Sequence, residues 1–374
     1  MICLLQGMPT SICISRYFVL YVMHRLLILT PTLSPDTGWG QYSEAVVSRL
    51  RDYYEVDVRT DLPSPLALQS SPVSVLRAAS SVRRATDDVD AIFSLVAYPY
   101  SLVAYLATRR TDVPYFVSCH GTYAVEPLHS KHRLPARLAL SKAAAAFCVS
   151  TFTADCIRSV TKSQNLVTVP NGVPPVNDPP TPFSLDHRVL LTVGAFKPRK
   201  GQHLSAEAFV RIADDEPDVD YHLVGSGSDT EYADGVRNIV RENGLSDRIH
   251  FEGKVPDEEL ERWYATAEAF ILTPRYVNHH FEGFGLVYLE ANRHGVPVVG
   301  TFGTGAEDAI ADGTSGRCTR PNPDAVAAAL RELLDDDRQY SDGAQCWAAS
   351  HTWTRTVERM VTVIDRRLTD EYKP

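Results

Sequence analysis

The chain has 374 residues, 44% of them apolar, and a formal net charge of −9. That length suits two domains of ordinary size with a core each, and the acidic balance excludes nucleic acid as the main partner. The seven cysteines (Cys3, Cys13, Cys119, Cys148, Cys156, Cys318 and Cys346) are scattered without a CxxC pair, which excludes a disulfide framework or zinc finger and reads as free thiols of a reducing cytosol.

Residues 1–22 fit poorly with the remainder of the chain. ISRYFVLYVM is apolar, but Arg16 interrupts it and His24 and Arg25 close it. It is too short for a membrane span and lacks a small-residue cleavage site. Met23 opens MHRLLILTP, a first core strand, so 1–22 reads as a leader or a misassigned start. A weak membrane-surface anchor is the second reading.

From Met23 onward, short β-like runs alternate with helical ones, the pattern of a parallel sheet covered by helices. RLLILTP, AIFSLVAY, PYFVSCHG, AAAFCVS and LVTVPNG are expected strands of a first domain, 23–175. Such continuous apolar runs suit strands buried on both faces. Six prolines from Pro170 through Pro182 rule out regular structure, and 176–184 reads as a linker. RVLLTVGAF, VDYHLVGSGS, RIHFEGKV, AFILTP and VPVVGT then restart the alternation in a second domain, 185–350. Residues 351–374 carry a last helix from about Thr354 to Leu368, with Val357, Met360, Val361, Ile364 and Leu368 on one face. The fold class is therefore α/β, with two Rossmann-like domains facing each other across a cleft. Ligands in such sheets sit at the carboxyl ends of strands.

The segment EGFGLVYLEA places Glu282 and Glu290 around Gly283, Phe284 and Gly285. A helix starting after Gly285 leaves unpaired N–H groups that favour a phosphate, and glycines let a pyrophosphate approach the main chain. Eight helical residues span roughly 12 Å at 1.5 Å each, about the reach from a hexose across two phosphates to a ribose. One carboxylate then grips sugar hydroxyls and the other ribose hydroxyls. His279, His280 and Glu282 lack the spacing of a metal site. Asp88-Val89-Asp90 and Asp218-Val219-Asp220 match an Asp-x-Asp string that can hold a metal on a diphosphate. Both precede strands and read as solvated surface charge.

Together these motifs resemble the retaining, family-4-type glycosyltransferases of the GT-B fold, including phosphatidylinositol-mannosyltransferase-like members with a longer loop (here RYVNHHF) before a similar VYLEA ending. The resemblance implies that the last helix crosses back onto the first domain. It also implies that Gly38 and Gly40 open the first helix near the donor phosphates, and that His120, followed by Gly121, lies beside the transferred sugar. Asn171-Gly172 matches an NG turn closing the first domain, an architectural role suited to a left-handed backbone. In LLTVGAFKPRKGQ, Gly194 and Lys200-Gly201 match the family, while Ala195 stands where an arginine is usual. Arg199 is expected to supply the missing guanidinium, which can hold two phosphate oxygens at once. Gly225 and Gly227 match a glycine turn near the nucleotide, 252–255 falls near the base, and Glu307 aligns with an acidic residue near the donor.

The function so implied is transfer of a hexose from a nucleotide-diphosphate sugar to a glycan or lipid-linked acceptor, with retention and without a metal or other cofactor. Glu282, Lys200, Arg199 and His120 would carry the chemistry, with Gly283, Phe284, Gly285, Leu286 and Glu290 holding the donor. The stretch 129–142, HSKHRLPARLALSK, has four Lys/Arg and no acid. It is the candidate contact with an anionic membrane, Leu134, Leu138 and Ala139 forming a narrow apolar face and Pro135 suiting a helix's first turn. The expected location is cytoplasmic, with a peripheral site on the inner face of the membrane. A nucleotide-sugar epimerase of the same fold and a non-catalytic donor-binding partner are the alternatives.

Overall fold

A computed structural model describes residues 23–62, 71–227, 230–335 and 337–370. The leader 1–22, with Cys3 and Cys13, lies outside the described residues.

The first sheet holds β1 (Arg25–Leu29), β2 (Glu55–Arg59), β3 (Ala91–Ser94), β4 (Tyr115–Cys119), β5 (Ala145–Cys148) and β6 (Leu166–Thr168), in the order β2-β1-β3-β4-β5-β6. The second holds β7 (Arg188–Val193), β8 (Val219–Val224), β9 (Ile249–Gly253), β10 (Ala269–Ile271), β11 (Val298–Thr301) and β12 (Gly316–Thr319), ordered β12-β11-β10-β7-β8-β9. All neighbouring pairs are parallel. Two Rossmann-like sheets result. No described helix or strand lies between Thr168 and Arg188, as the prolines require.

The central strands are the apolar runs: every residue of β3, β4, β5 and β8 is buried. The two strands that hydrophobicity did not announce, β2 and β12, are both sheet edges. EVDVR carries charge at alternate positions and no residue of it is fully buried. An edge strand has one free flank, so charged side chains are tolerated there and deter further pairing.

The terminal helix, Trp353–Asp370, exceeds the expected span by one residue at the start and two at the end. Its Trp353, Val357, Met360, Val361 and Ile364 enter the same apolar cluster as Leu26 and Ile28 of β1 and Val46 of the first helix, Gly38–Leu50. Burying each such side chain is worth about 1.5–3 kcal/mol. Two polar contacts fix the helix: the Tyr54 hydroxyl donates to Asp365 at 2.6 Å, and the Thr356 hydroxyl to the Pro170 carbonyl at 2.8 Å. The chain thus crosses back to its first domain.

Three expectations need correction. Neither Asn171 nor Gly172 has a positive φ. Gly172 is needed for space instead, because a Cβ there would lie 2.2 Å from the Trp353 nitrogen. Asp220 is not solvated: it is 9% exposed and accepts from Arg248 Nε at 2.7 Å, while Asp218 stays exposed. In the helix Arg133–Lys142, Leu134 is 70% and Leu138 41% exposed, but Ala139 is buried and does not share their face. Among the described residues no helix is long and apolar enough to cross a membrane.

Candidate active site between the two sheets

In the second sheet the strand order reverses between β7 and β10, so the loops after these strands part and leave a crevice at their carboxyl ends. The loop after β7 carries Lys200 and Arg199 on a single 3-10 turn, Pro198–Lys200. The loop after β10 carries Glu282. They meet: Lys200 Nζ lies 2.5 Å and Arg199 Nη1 3.1 Å from Glu282 Oε2. Burial pushes the Glu282 carboxyl up, but the charges of Lys200 and Arg199 outweigh it and hold the group below the usual carboxylate range. Two cations against one anion leave a net +1 beside an exposed crevice, which suits a diphosphate. Arg199 thus brings a guanidinium to the Lys200–Glu282 cluster.

The cationic turn is braced from behind. The Gln202 amide donates to the carbonyls of Gly194 (3.3 Å) and Ala195 (3.0 Å), and the Thr273 hydroxyl donates to the Gly201 carbonyl at 2.7 Å. Gly201 sits at φ +76°, and a Cβ there would fall 1.8 Å from the Thr273 carbonyl oxygen. Gly194 lies against the Lys200 side chain.

A short helix, Leu286–Asn292, follows Gly285, whose φ is +88°. Helix begins where expected, and its first N–H groups face away from any helical partner. Only 286–290 of the stretch between the two glutamates is helical, so the straight eight-residue helix does not exist. Glu290 accepts from the Tyr264 hydroxyl at 2.7 Å, and burial raises its carboxyl above the ordinary value despite that bond.

The first domain supplies the opposite wall. His120 follows β4, with the rings of Trp39 and Tyr42 edge-on at 5.1 and 4.3 Å. Its Nε2 donates to the Leu95 carbonyl at 3.2 Å. Burial drives its pKa down to about 4, the Leu95 bond only partly opposing. The neutral ring therefore carries its proton on Nε2, leaving Nδ1 as an acceptor for a hydroxyl. His120, Thr122, Asn171, Arg199, Lys200 and the backbone of 282–287 bound a crevice of about 250 Å³.

The walls touch through groups that motif reading passed over. The Thr122 hydroxyl accepts from the Phe281 N–H at 2.8 Å and donates to its carbonyl at 2.9 Å. Phe281, 1% exposed, joins the first domain's core although it follows β10. Thr151 donates from its N–H and hydroxyl to Asp308 at 3.0 and 2.8 Å. Gly121, at φ +48°, packs so closely that a Cβ would come 2.4 Å from Gly283 Cα. Such contacts pair residues more than a hundred positions apart, so no local pattern announces them. One signal was present: a phenylalanine directly before Glu282.

Of the other expected donor residues, Gly283 lies on the crevice wall, whereas Gly38, Gly40, Gly225, Glu252 and Glu307 do not. Gly40 is a packing glycine, since a Cβ there would strike the Ser34 carbonyl oxygen at 1.7 Å, and its N–H is capped by Thr37. Gly38 opens the same helix without such crowding. Gly225 lets β8 approach the Gly194 carbonyl, where a Cβ would lie at 2.1 Å. Gly283 likewise serves close packing, against Gly121 and Gly305, before any pyrophosphate. Glu252 accepts from His222 at 2.8 Å, and Glu307 accepts from the Gly303 N–H at 2.6 Å within its own turn. In RYVNHHF, Asn278 and His279 take positive φ values (48° and 69°) in a tight turn between Val277 and His280. His279 stacks on His129 of the first domain, ring centroids 3.8 Å apart, and does not join Glu282 in a ligand set. Among the described residues no cluster of three or more His, Cys, Asp or Glu is arranged to hold a metal.

Two protein-family models match the chain: "Glycosyl transferase 4-like domain" over residues 23–172 and "Glycosyl transferases group 1" over 176–345. The D-inositol 3-phosphate glycosyltransferase of Geodermatophilus obscurus is 34% identical over 183 residues, 47% of this chain and 40% of the relative. The GDP-mannose-dependent alpha-(1-6)-phosphatidylinositol monomannoside mannosyltransferase of Mycolicibacterium smegmatis is 30% identical over 177 residues, 46% of each chain. The chain thus spans less than half the length of these curated relatives. Among solved structures, Anabaena Alr3699/HepE in complex with UDP and glucose superposes with a TM-score of 0.71 at 18% identity, over 91% of this chain and 99% of that one. The sucrose-phosphate synthase of Thermosynechococcus elongatus gives 0.72 at 18% identity, over 93% and 100%. With both halves matched in order and the two-sheet architecture shared, the chain belongs to the family-4-type glycosyltransferases of the GT-B fold.

Proposed function

We propose that the protein transfers a hexose from a nucleotide-diphosphate sugar to an acceptor hydroxyl, with the retention of configuration that its family implies and without a metal. One observation carries the reading: Lys200, Arg199 and Glu282 converge at the switch point of the second sheet and face His120 across one crevice. The two cations and the N–H groups of Phe284 to Leu286 would take the diphosphate, whose charge grows as the glycosidic bond breaks. Glu282 would orient sugar hydroxyls, Glu290 the ribose, and His120 would accept a hydroxyl proton through Nδ1 as a hydrogen bond. Phosphorylated or lipid-linked polyols are the acceptor class favoured by the relatives' names. The exposed Leu134 and Leu138 on a basic helix support contact with an anionic membrane on its cytoplasmic face.

Calorimetric titration with UDP- and GDP-hexoses, followed by transfer to inositol phosphates, prenyl phosphates and glycolipids with and without chelator, tests the reading. Binding of one nucleotide sugar and chelator-resistant transfer are expected. An altered donor released without acceptor would indicate an epimerase. Binding without transfer or hydrolysis across all acceptors would indicate a donor-binding partner, and absence of any binding refutes both.

A further inference from the structure

Asn171 belongs to the expected NG turn, but the turn does not need its side chain. The backbone at 171 lies outside the left-handed region, and the tight fit against Thr352 and Trp353 is borne by Gly172. Asn171 is nevertheless 7% exposed, and its Oδ1 is fully buried with no hydrogen-bond donor among the described residues. Buried polar atoms are nearly always paired, so each exception requires a cause. Other unpaired buried atoms exist, on Tyr100, Gln202 and Asn292 among others, yet of these residues Asn171 is the one on the wall of the Lys200–Glu282 crevice. Val149, Leu286 and Val287 line the same crevice and make part of its wall apolar.

An amide oxygen needs a donor. A diphosphate offers only acceptors at neutral pH, whereas a sugar offers hydroxyls. We infer that Asn171 is a substrate-contacting residue whose Oδ1 accepts a hydrogen bond from a hydroxyl of the transferred sugar, so that it distinguishes the glycosylated donor from the bare nucleoside diphosphate. The inference rests on the donor reading above and deepens it. Asn171 and His120 then present two acceptors from the first domain, while the cations of the second domain hold the phosphates. Closing the two domains would thereby complete sugar recognition.

The test is calorimetry on wild type, Asn171→Ala and Asn171→Ser with UDP, GDP, UDP-glucose and GDP-mannose, with thermal melting of each variant. In wild type the preferred nucleotide sugar should bind tighter than its diphosphate. In Asn171→Ala its affinity should fall about tenfold, the worth of one neutral hydrogen bond, while diphosphate affinity changes less than about twofold. Asn171→Ser, which keeps a shorter polar group, should lie between and serves if the alanine variant does not fold. Equal losses for sugar and diphosphate would show a role in the turn alone and overturn the inference, as would no loss in either variant. If wild type binds diphosphates and no nucleotide sugar, the donor reading fails and the inference with it; if wild type favours the sugar and the variants retain that preference, only the inference fails.

Discussion

Removing the Lys200 ammonium isolates the electrostatic claim. Its Nζ is 2.5 Å from Glu282 Oε2 and the side chain is 12% exposed, so screening by solvent is weak. A unit charge about 4 Å from a developing unit charge contributes about 4 kcal/mol at an effective dielectric of ~20. Only the charge that appears during bond breaking accelerates the reaction. Glu282 already engages the ammonium, and Arg199 at 3.1 Å from the same oxygen compensates in part. Roughly half of the Coulomb figure, ~2–3 kcal/mol, then belongs to the transition state, or about 30- to 150-fold in kcat. Lys200→Met keeps the aliphatic stem against Gly194 and should show this loss, with weaker nucleoside diphosphate binding. Steady-state kinetics of diphosphate release, alongside thermal melting, is the assay. Turnover within about threefold of wild type in a folded variant would refute the assignment.

Glu282→Gln should divide binding from catalysis: freed from the carboxylate, Lys200 and Arg199 should bind the bare diphosphate at least as tightly, while turnover falls ~10²-fold, read by calorimetry and kinetics. His120 titrates near 4 when folded against an ordinary value near 6.5, so the folded state binds fewer protons between these values and stability drops as pH falls from about 6.5 to about 4. His120→Gln should remove up to ~3 kcal/mol of that acid sensitivity, measured as the difference in urea-unfolding free energy between pH 7 and 4. Gly121→Ala combines a positive φ with a Cβ 2.4 Å from Gly283 Cα, so it should cost about 1–3 kcal/mol and hold the domains apart. Its thermal midpoint and small-angle scattering should both shift, with transfer reduced at least about tenfold.

The order of elements was legible because central parallel strands are buried on both faces and must be apolar, as AIFS, YFVSC and AAFC are. β2 and β12 escaped notice for the converse reason, since edge strands keep a solvent flank and little apolar signal. Lys200 and Glu282 were legible because each sits in a short motif whose spacing reflects one loop's chemistry. Arg199 joins Lys200 at Glu282 because both are carried by the single 3-10 turn after β7.

The pattern of residues along the chain determined two α/β halves, a proline-rich junction, an amphipathic last helix and a set of charged and glycine-bearing loops at strand ends. Tertiary structure alone decided that Lys200 and Arg199 share one carboxylate oxygen, that Phe281 enters the other domain's core, that Asp220 is buried in an ion pair, and that Asn171 stands on the crevice wall with a buried, unpaired oxygen. The reason is one of range: hydrophobic periodicity and turn chemistry act over a few residues, whereas burial, charge pairing and close backbone approach depend on which distant segments the two sheets bring face to face.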